Sequence, residues 1–179
     1  MQVERAAGGH PEDPPGDPAA VAKQICLRLL TTAPRTRAVL AEALHKRSIP
    51  DDVADRVLDR LAAVGLVDDR AYAEAFVSTR HRDRGLGRTA LRTELRRKGI
   101  DPATVEQAVS SIDADGERDR AMALIRRRVD ASMAAGPKAA RRRLTALLAR
   151  RGYSASVANA VVDEALRDYG VTNDEMSDW

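Results

Sequence analysis

Three stretches of the chain carry one pattern at a nearly constant interval, and this period restricts the fold more than any other feature. Residues 39–49, 90–100 and 143–153 each hold two leucines four apart (Leu40/Leu44, Leu91/Leu95, Leu144/Leu148), a basic end, and an apolar residue five positions after the second leucine. Those closing residues, Ile49, Ile100 and Tyr153, are 51 and 53 residues apart. A fixed period of this size marks a tandem array, whose units bury their apolar faces by stacking.

Each copy reads as helix, turn, helix. In the second, Leu91 and Leu95 form an i, i+4 stripe, the basic end and Gly99 stop the helix, and Asp101-Pro102 starts another as N-cap and first helical residue. Val105, Ala108, Val109 and Ile112 make the facing stripe; the first copy uses Val53, Val57 and Leu61 after Pro50, the third Val157, Val161 and Leu166 after Ser154. A further helix precedes each copy, beginning near Ala19, Asp69 and Gly116. The pattern predicts helices over 19–31, 36–47, 50–64, 69–82, 88–98, 102–112, 117–134, 138–151 and 154–168. Aromatic residues are only 3% of the chain, leaving a core of Leu, Val, Ile and Ala, which suits helices better than strands. The expected architecture is all-α: three tandem three-helix repeats (19–65, 66–113, 114–169) in an elongated curved array without β-sheet. A Pro- and Gly-rich segment, 1–18, is expected to be disordered, and 170–179 to be an acidic tail.

Catalytic arrangements fail residue by residue. His10, His45 and His81 fall in separate segments without metal-ligand spacing, and Cys26, the single cysteine, lies in an apolar run that suits a buried thiol. The turn Gly85-Leu86-Gly87-Arg88-Thr89 lacks phosphate-loop spacing and suits a helix-to-helix turn with Gly87 as N-cap. Asp51-Asp52 and Asp68-Asp69 stand at helix starts, where acids complement the helix dipole. No enzyme, metal, cofactor or small-molecule substrate is expected. With neither a signal peptide nor a long apolar run, the expected setting is the cytoplasm, away from membranes.

Charge is unevenly distributed. The net is +3, yet residues 70–100 sum to +6 and residues 117–151 to +8, while 1–19 sum to −3 and 152–179 to −5. Arg88, Arg92 and Arg96 form an i, i+4 ridge expected to be solvent-facing and dispensable for folding. Arg126-Arg127-Arg128 and Arg141-Arg142-Arg143 are runs of cations with few acids nearby in sequence. Such clusters suit nucleic acid or an acidic protein groove. A helix-turn-helix DNA reader is the related option, although base-reading Asn and Gln are scarce.

The stretch from Gly65 to Val77, with Asp68-Asp69-Arg70-Ala71-Tyr72-Ala73-Glu74-Ala75-Phe76, followed by Arg80, Arg84-Gly85-Leu86-Gly87 and Leu91 to Ile100, resembles the bacterial RecX family. The likeness extends over roughly residues 20–169 and includes the three-repeat layout. It implies a non-enzymatic negative regulator of homologous recombination, within DNA repair and the SOS response; a monomer is expected separately, because no large exposed apolar face in the sequence argues for a dimer. Such a protein binds RecA and RecA filaments on single-stranded DNA, with double-stranded DNA a further partner, and suppresses ATP hydrolysis, strand exchange and coprotease activity. The alternative is a helical nucleic-acid-binding protein or transcriptional regulator acting on DNA directly. By resemblance, Tyr72 and Phe76 pack in the core and fix the fourth helix against the fifth, together with Leu91, Leu95 and Ile100. Arg80, Arg84, Arg88, Arg92, Arg96, Arg97 and Lys98 are assigned to the partner surface, and Arg126, Arg127, Arg128, Arg141, Arg142 and Arg143 extend it.

Overall fold

A computed structural model describes residues 17–170, so the expectations for 1–16 and 171–179 lie outside the described residues. Ten helices and no strand are present among them. They form two compact units that divide between Val67 and Asp68.

The first unit holds α1 (Pro18–Thr32), α2 (Arg37–His45) and α3 (Asp51–Ala63). Asp17 and Thr36 cap α1 and α2, their side chains accepting from Ala19 N and Val39 N. Cys26, Leu40, Leu44 and Leu58 are fully buried in one apolar cluster, which Ile49 and Val67 close. Burial raises the Cys26 pKa, which keeps the thiol neutral and inert.

The second unit begins with α4 (Asp69–Arg84), α5 (Arg88–Arg97) and α6 (Pro102–Ser110). Its first cluster gathers Phe76, Val77, Leu91, Leu95, Ile100, Val105 and Val109. Phe76 is buried; Tyr72 is half-buried and stacks on it at 6.2 Å between ring centroids. Lys98, the C-cap of α5, sets its ammonium 5.7 and 5.6 Å from the two ring centres, so the aromatic pair ties α4 to the end of α5. The unit continues with α7 (Ala114–Arg126), α8 (Val129–Met133), α9 (Pro137–Arg150) and α10 (Ala155–Asp168), around a second cluster containing Ile125, Leu144, Leu148, Tyr153, Val161 and Leu166.

Eight of the nine predicted helices have both ends within two residues of those observed. The seventh differs: the expected continuous helix over 117–134 begins earlier, at Ala114, and breaks at Arg127-Arg128 into α7 and α8. Asp113 starts it by accepting from Gly116 N at 2.6 Å. At the break, Arg128 N bonds to Ile125 O at 2.7 Å, a tightened i→i−3 bond. Three consecutive cations suit a helix C-terminus better than a helix interior, because the free carbonyls there carry partial negative charge.

The repeated pattern has a local cause. Ser48, Gly99 and Gly152 take left-handed backbone (φ 57°, 75° and 81°), and the next amide in each copy reaches back to the second leucine. Ile49 N, Ile100 N and Tyr153 N bond to Leu44 O, Leu95 O and Leu148 O at 3.3, 3.3 and 3.1 Å. This is the Schellman helix end, which pairs the last carbonyls and folds an apolar residue back over the helix.

Candidate cationic interface

The cations are best understood from the joint between the second and third copies, inside the second unit. Gly87 N donates to Arg151 O at 2.8 Å and Thr89 N to Gly152 O at 3.1 Å, so the start of α5 docks on the α9–α10 turn. Both glycines are required by proximity: a Cβ on Gly87 would lie 2.5 Å from Gly152 O, and one on Gly152 2.3 Å from Ala90 N. Gly87 is the N-cap of α5, as its place in the turn predicts. The Tyr153 hydroxyl donates to Gly85 O at 3.2 Å. Arg120 Nε donates to His81 O at 3.1 Å, and the Arg151 guanidinium to Arg84 O.

The ridge expected to face solvent is engaged in the same architecture. Glu117 is only 6% exposed; its carboxylate accepts from Arg88 N at 3.1 Å and lies 3.4 Å from Arg88 Nε. The Arg88 guanidinium also donates to Ile112 O. On the next turns, Arg92 Nε donates to both oxygens of Glu106 on α6, at 2.9 and 2.8 Å, and Arg96 joins the same carboxylate at 3.3 Å. Arg88 is therefore a joint residue, which corrects the expectation that it is dispensable for folding, while Arg92 and Arg96 lace α5 to α6. Sequence counting along α5 alone could not find these acids, because Glu106 and Glu117 lie on other helices.

Arg80 lies 5.2 Å from the Phe76 ring centre, and Lys98 covers the aromatic pair. Arg84 and Arg97 are exposed, with no ion pair to a described carboxylate.

The triplets separate for a simple reason: consecutive residues on a helix point about 100° apart. Arg141 turns toward α10 and grips Asp163 with two bonds, Nε to Oδ1 at 2.9 Å and Nη2 to Oδ2 at 3.3 Å. Arg142 and Arg143 point to either side of the outer face and are exposed. Arg126, Arg127 and Arg128 occupy the end of α7, its C-cap and the residue before α8; all three are exposed and have no ion pair to a described carboxylate.

The least compensated element is α9, which contains five cations and no acid. Its core face is Ala140, Leu144 and Leu148; opposite lies a groove of about 670 Å³ along the helix. Lys138, Arg142, Arg143 and Arg150 are exposed and make no ion pair to a described carboxylate. The predicted triplets miss Lys138 and Arg150. Helical spacing is the signal that finds them, since 138 and 142 differ by four and 143 and 150 by seven.

Among the described residues, no three His, Cys, Asp or Glu side chains gather as metal ligands, and no helix is long and apolar enough to cross a membrane. Fold and surface together define a helical repeat protein with one strongly cationic helix.

Comparison with known proteins makes this specific. Residues 22–61 match the first three-helix domain of RecX, and residues 68–109 match the second. The Regulatory protein RecX of Streptomyces coelicolor is 46% identical over 166 residues, 93% of this chain and 88% of that protein. That of Thermobifida fusca is 49% identical over 177 residues, 96% of this chain and 95% of that protein. The chain belongs to the RecX family of regulatory proteins. In fold it is similar to the crystal structure of RecX from Lactobacillus salivarius, with TM-score 0.78 at 20% identity, covering 83% of this chain and 96% of that one. A second crystal structure, of a regulatory protein RecX, gives TM-score 0.73 at 24% identity, covering 82% and 72%.

Proposed function

We propose that this protein is a cytoplasmic, non-enzymatic negative regulator of homologous recombination, which binds RecA and RecA filaments on single-stranded DNA and suppresses their ATPase, strand-exchange and coprotease activities. Family membership supports the regulatory role. The observation that carries the contact chemistry is α9, where Asp163 takes Arg141 but the other four cations hold no described carboxylate, because guanidinium and ammonium groups of that kind are available to phosphate or to an acidic protein surface. Arg142 and Arg143, with Lys138 and Arg150, form the principal contact; Arg84, Arg97 and Arg126 to Arg128 extend it. Arg88, Arg92, Arg96 and Arg141 act mainly by shaping the unit, since each already holds a carboxylate.

The test is to titrate the protein into RecA hydrolysing ATP on single-stranded DNA. Inhibition well below one chain per RecA is expected, and replacing Lys138, Arg142 and Arg143 by alanine should weaken it on the order of tenfold or more while shifting folding stability by only about 0.5 kcal/mol per site. The same cations favour a second reading, direct binding to DNA without a recombinase. An oligonucleotide bound tightly by a protein that leaves RecA turnover unchanged would establish that reading instead.

A further inference from the structure

The outer groove of α9 has an occupant of suitable chemistry within the same chain. Lys138 and Arg142 rim it, and Ala139, Thr145, Ala146 and Ala149 line it. The Thr145 hydroxyl oxygen there is shielded from solvent and has no hydrogen-bond partner among the described residues. With Arg143 and Arg150, the outer face of α9 presents four cations.

Residues 171–179 carry Asp174, Glu175 and Asp178 interleaved with Val171, Met176 and Trp179, and contain no cation. Their attachment point favours a meeting. The short turn after α9 pairs α9 and α10, and the Arg141–Asp163 bridge sets the first turns of α9 beside the last turns of α10. The chain leaves α10 where Asp168 and Tyr169 line a hollow with Val129 and Asp130 of α8, one short helix before α9. Nine further residues reach at most about 30 Å, enough to pass around a helix about 10 Å across. A tether of that length holds its acids at an effective concentration on the order of millimolar, so weak pairings suffice.

We propose that residues 171–179 dock intramolecularly in the α9 groove, with their acids on Lys138 and Arg142 and their apolar side chains on the alanines, and so compete with external polyanions for this face. The proposal rests on reading α9 as a polyanion surface, and it makes affinity for that partner a regulated quantity.

Trp179 is the single tryptophan, so its emission reports the contact directly. In the intact protein, Trp179 should emit to the blue of a peptide of residues 171–179 and resist acrylamide quenching. Lys138→Glu with Arg142→Glu should abolish this shielding, as should a tail carrying Asp174→Asn, Glu175→Gln and Asp178→Asn, which alters no described residue. Removing 171–179 should tighten binding of fluorescein-labelled oligo(dT) on the order of tenfold at low salt, a difference that shrinks as salt screens the pairs. Emission identical to that of the peptide, or shielding that survives both sets of substitutions, overturns the proposal. Shielding lost on dilution also overturns it, by assigning the contact to a second copy. Failure of oligo(dT) to bind even the shortened chain would sink the polyanion reading alone, since Trp179 shielding that yields to charge reversal on α9 would still establish the docked tail.

Discussion

Tyr153 occupies the position filled by isoleucine in the other two copies, and its hydroxyl makes the difference: it donates to Gly85 O across the joint while the ring stays buried. Burial pushes its pKa up to about 12, with Arg120 opposing and Glu117 reinforcing the shift. Because an unfolded tyrosine ionises near pH 10, the folded protein retains a proton that the unfolded chain loses between the two values. The stabilisation is complete below about pH 10 and is lost as pH rises toward 12, on the order of 2 kcal/mol. Tyr153→Phe should cost about 1 kcal/mol at neutral pH and flatten this alkaline loss, as measured by urea unfolding across that range. A second contrast concerns the ridge on α5. Arg88→Ala removes the guanidinium beside the buried Glu117 carboxylate, leaving it only the backbone N–H of residue 88, and should cost about 2–3 kcal/mol, whereas Arg92→Ala and Arg96→Ala, at more exposed pairs, should each cost about 1 kcal/mol or less in the same denaturation experiment.

At the scale of elements, the helix ends explain why the repeat was readable. A left-handed residue followed by an apolar one terminates the same helix in each copy, and the copies differ in how well the residue suits that backbone. Ser48 holds φ 57° without being glycine, so Ser48→Gly should stabilise the first unit by about 0.5–1 kcal/mol. Gly152→Ala should destabilise the second unit by at least about 2 kcal/mol, since its Cβ would collide with the α5 backbone as well as strain φ. Thermal unfolding of the two variants should move in opposite directions. The break between α7 and α8 was not readable by the same means. Ile125 and Val129 are four apart and continue an apolar stripe whether or not the backbone stays helical, so periodicity carries no record of it.

In the second unit, the two apolar clusters are joined by backbone hydrogen bonds, a buried carboxylate and two glycines that admit no side chain. A joint of this kind should couple them in unfolding. Leu95→Ala in one cluster and Leu148→Ala in the other, both at fully buried leucines, should each cost about 2–5 kcal/mol and lower one shared transition in calorimetry. Two separate transitions would show that the joint is too weak to link them. The sequence by itself determined the repeat, the core and every helix except the α7–α8 pair, because apolar spacing, caps and left-handed helix ends are local properties of neighbouring residues. It also located the basic segments. Only the tertiary structure decided which cations remain available, because a charge is neutralised by whatever carboxylate folding brings near it: Glu106 and Glu117 take up the arginines of α5, Asp163 takes Arg141, and the outer face of α9 is left with its charge.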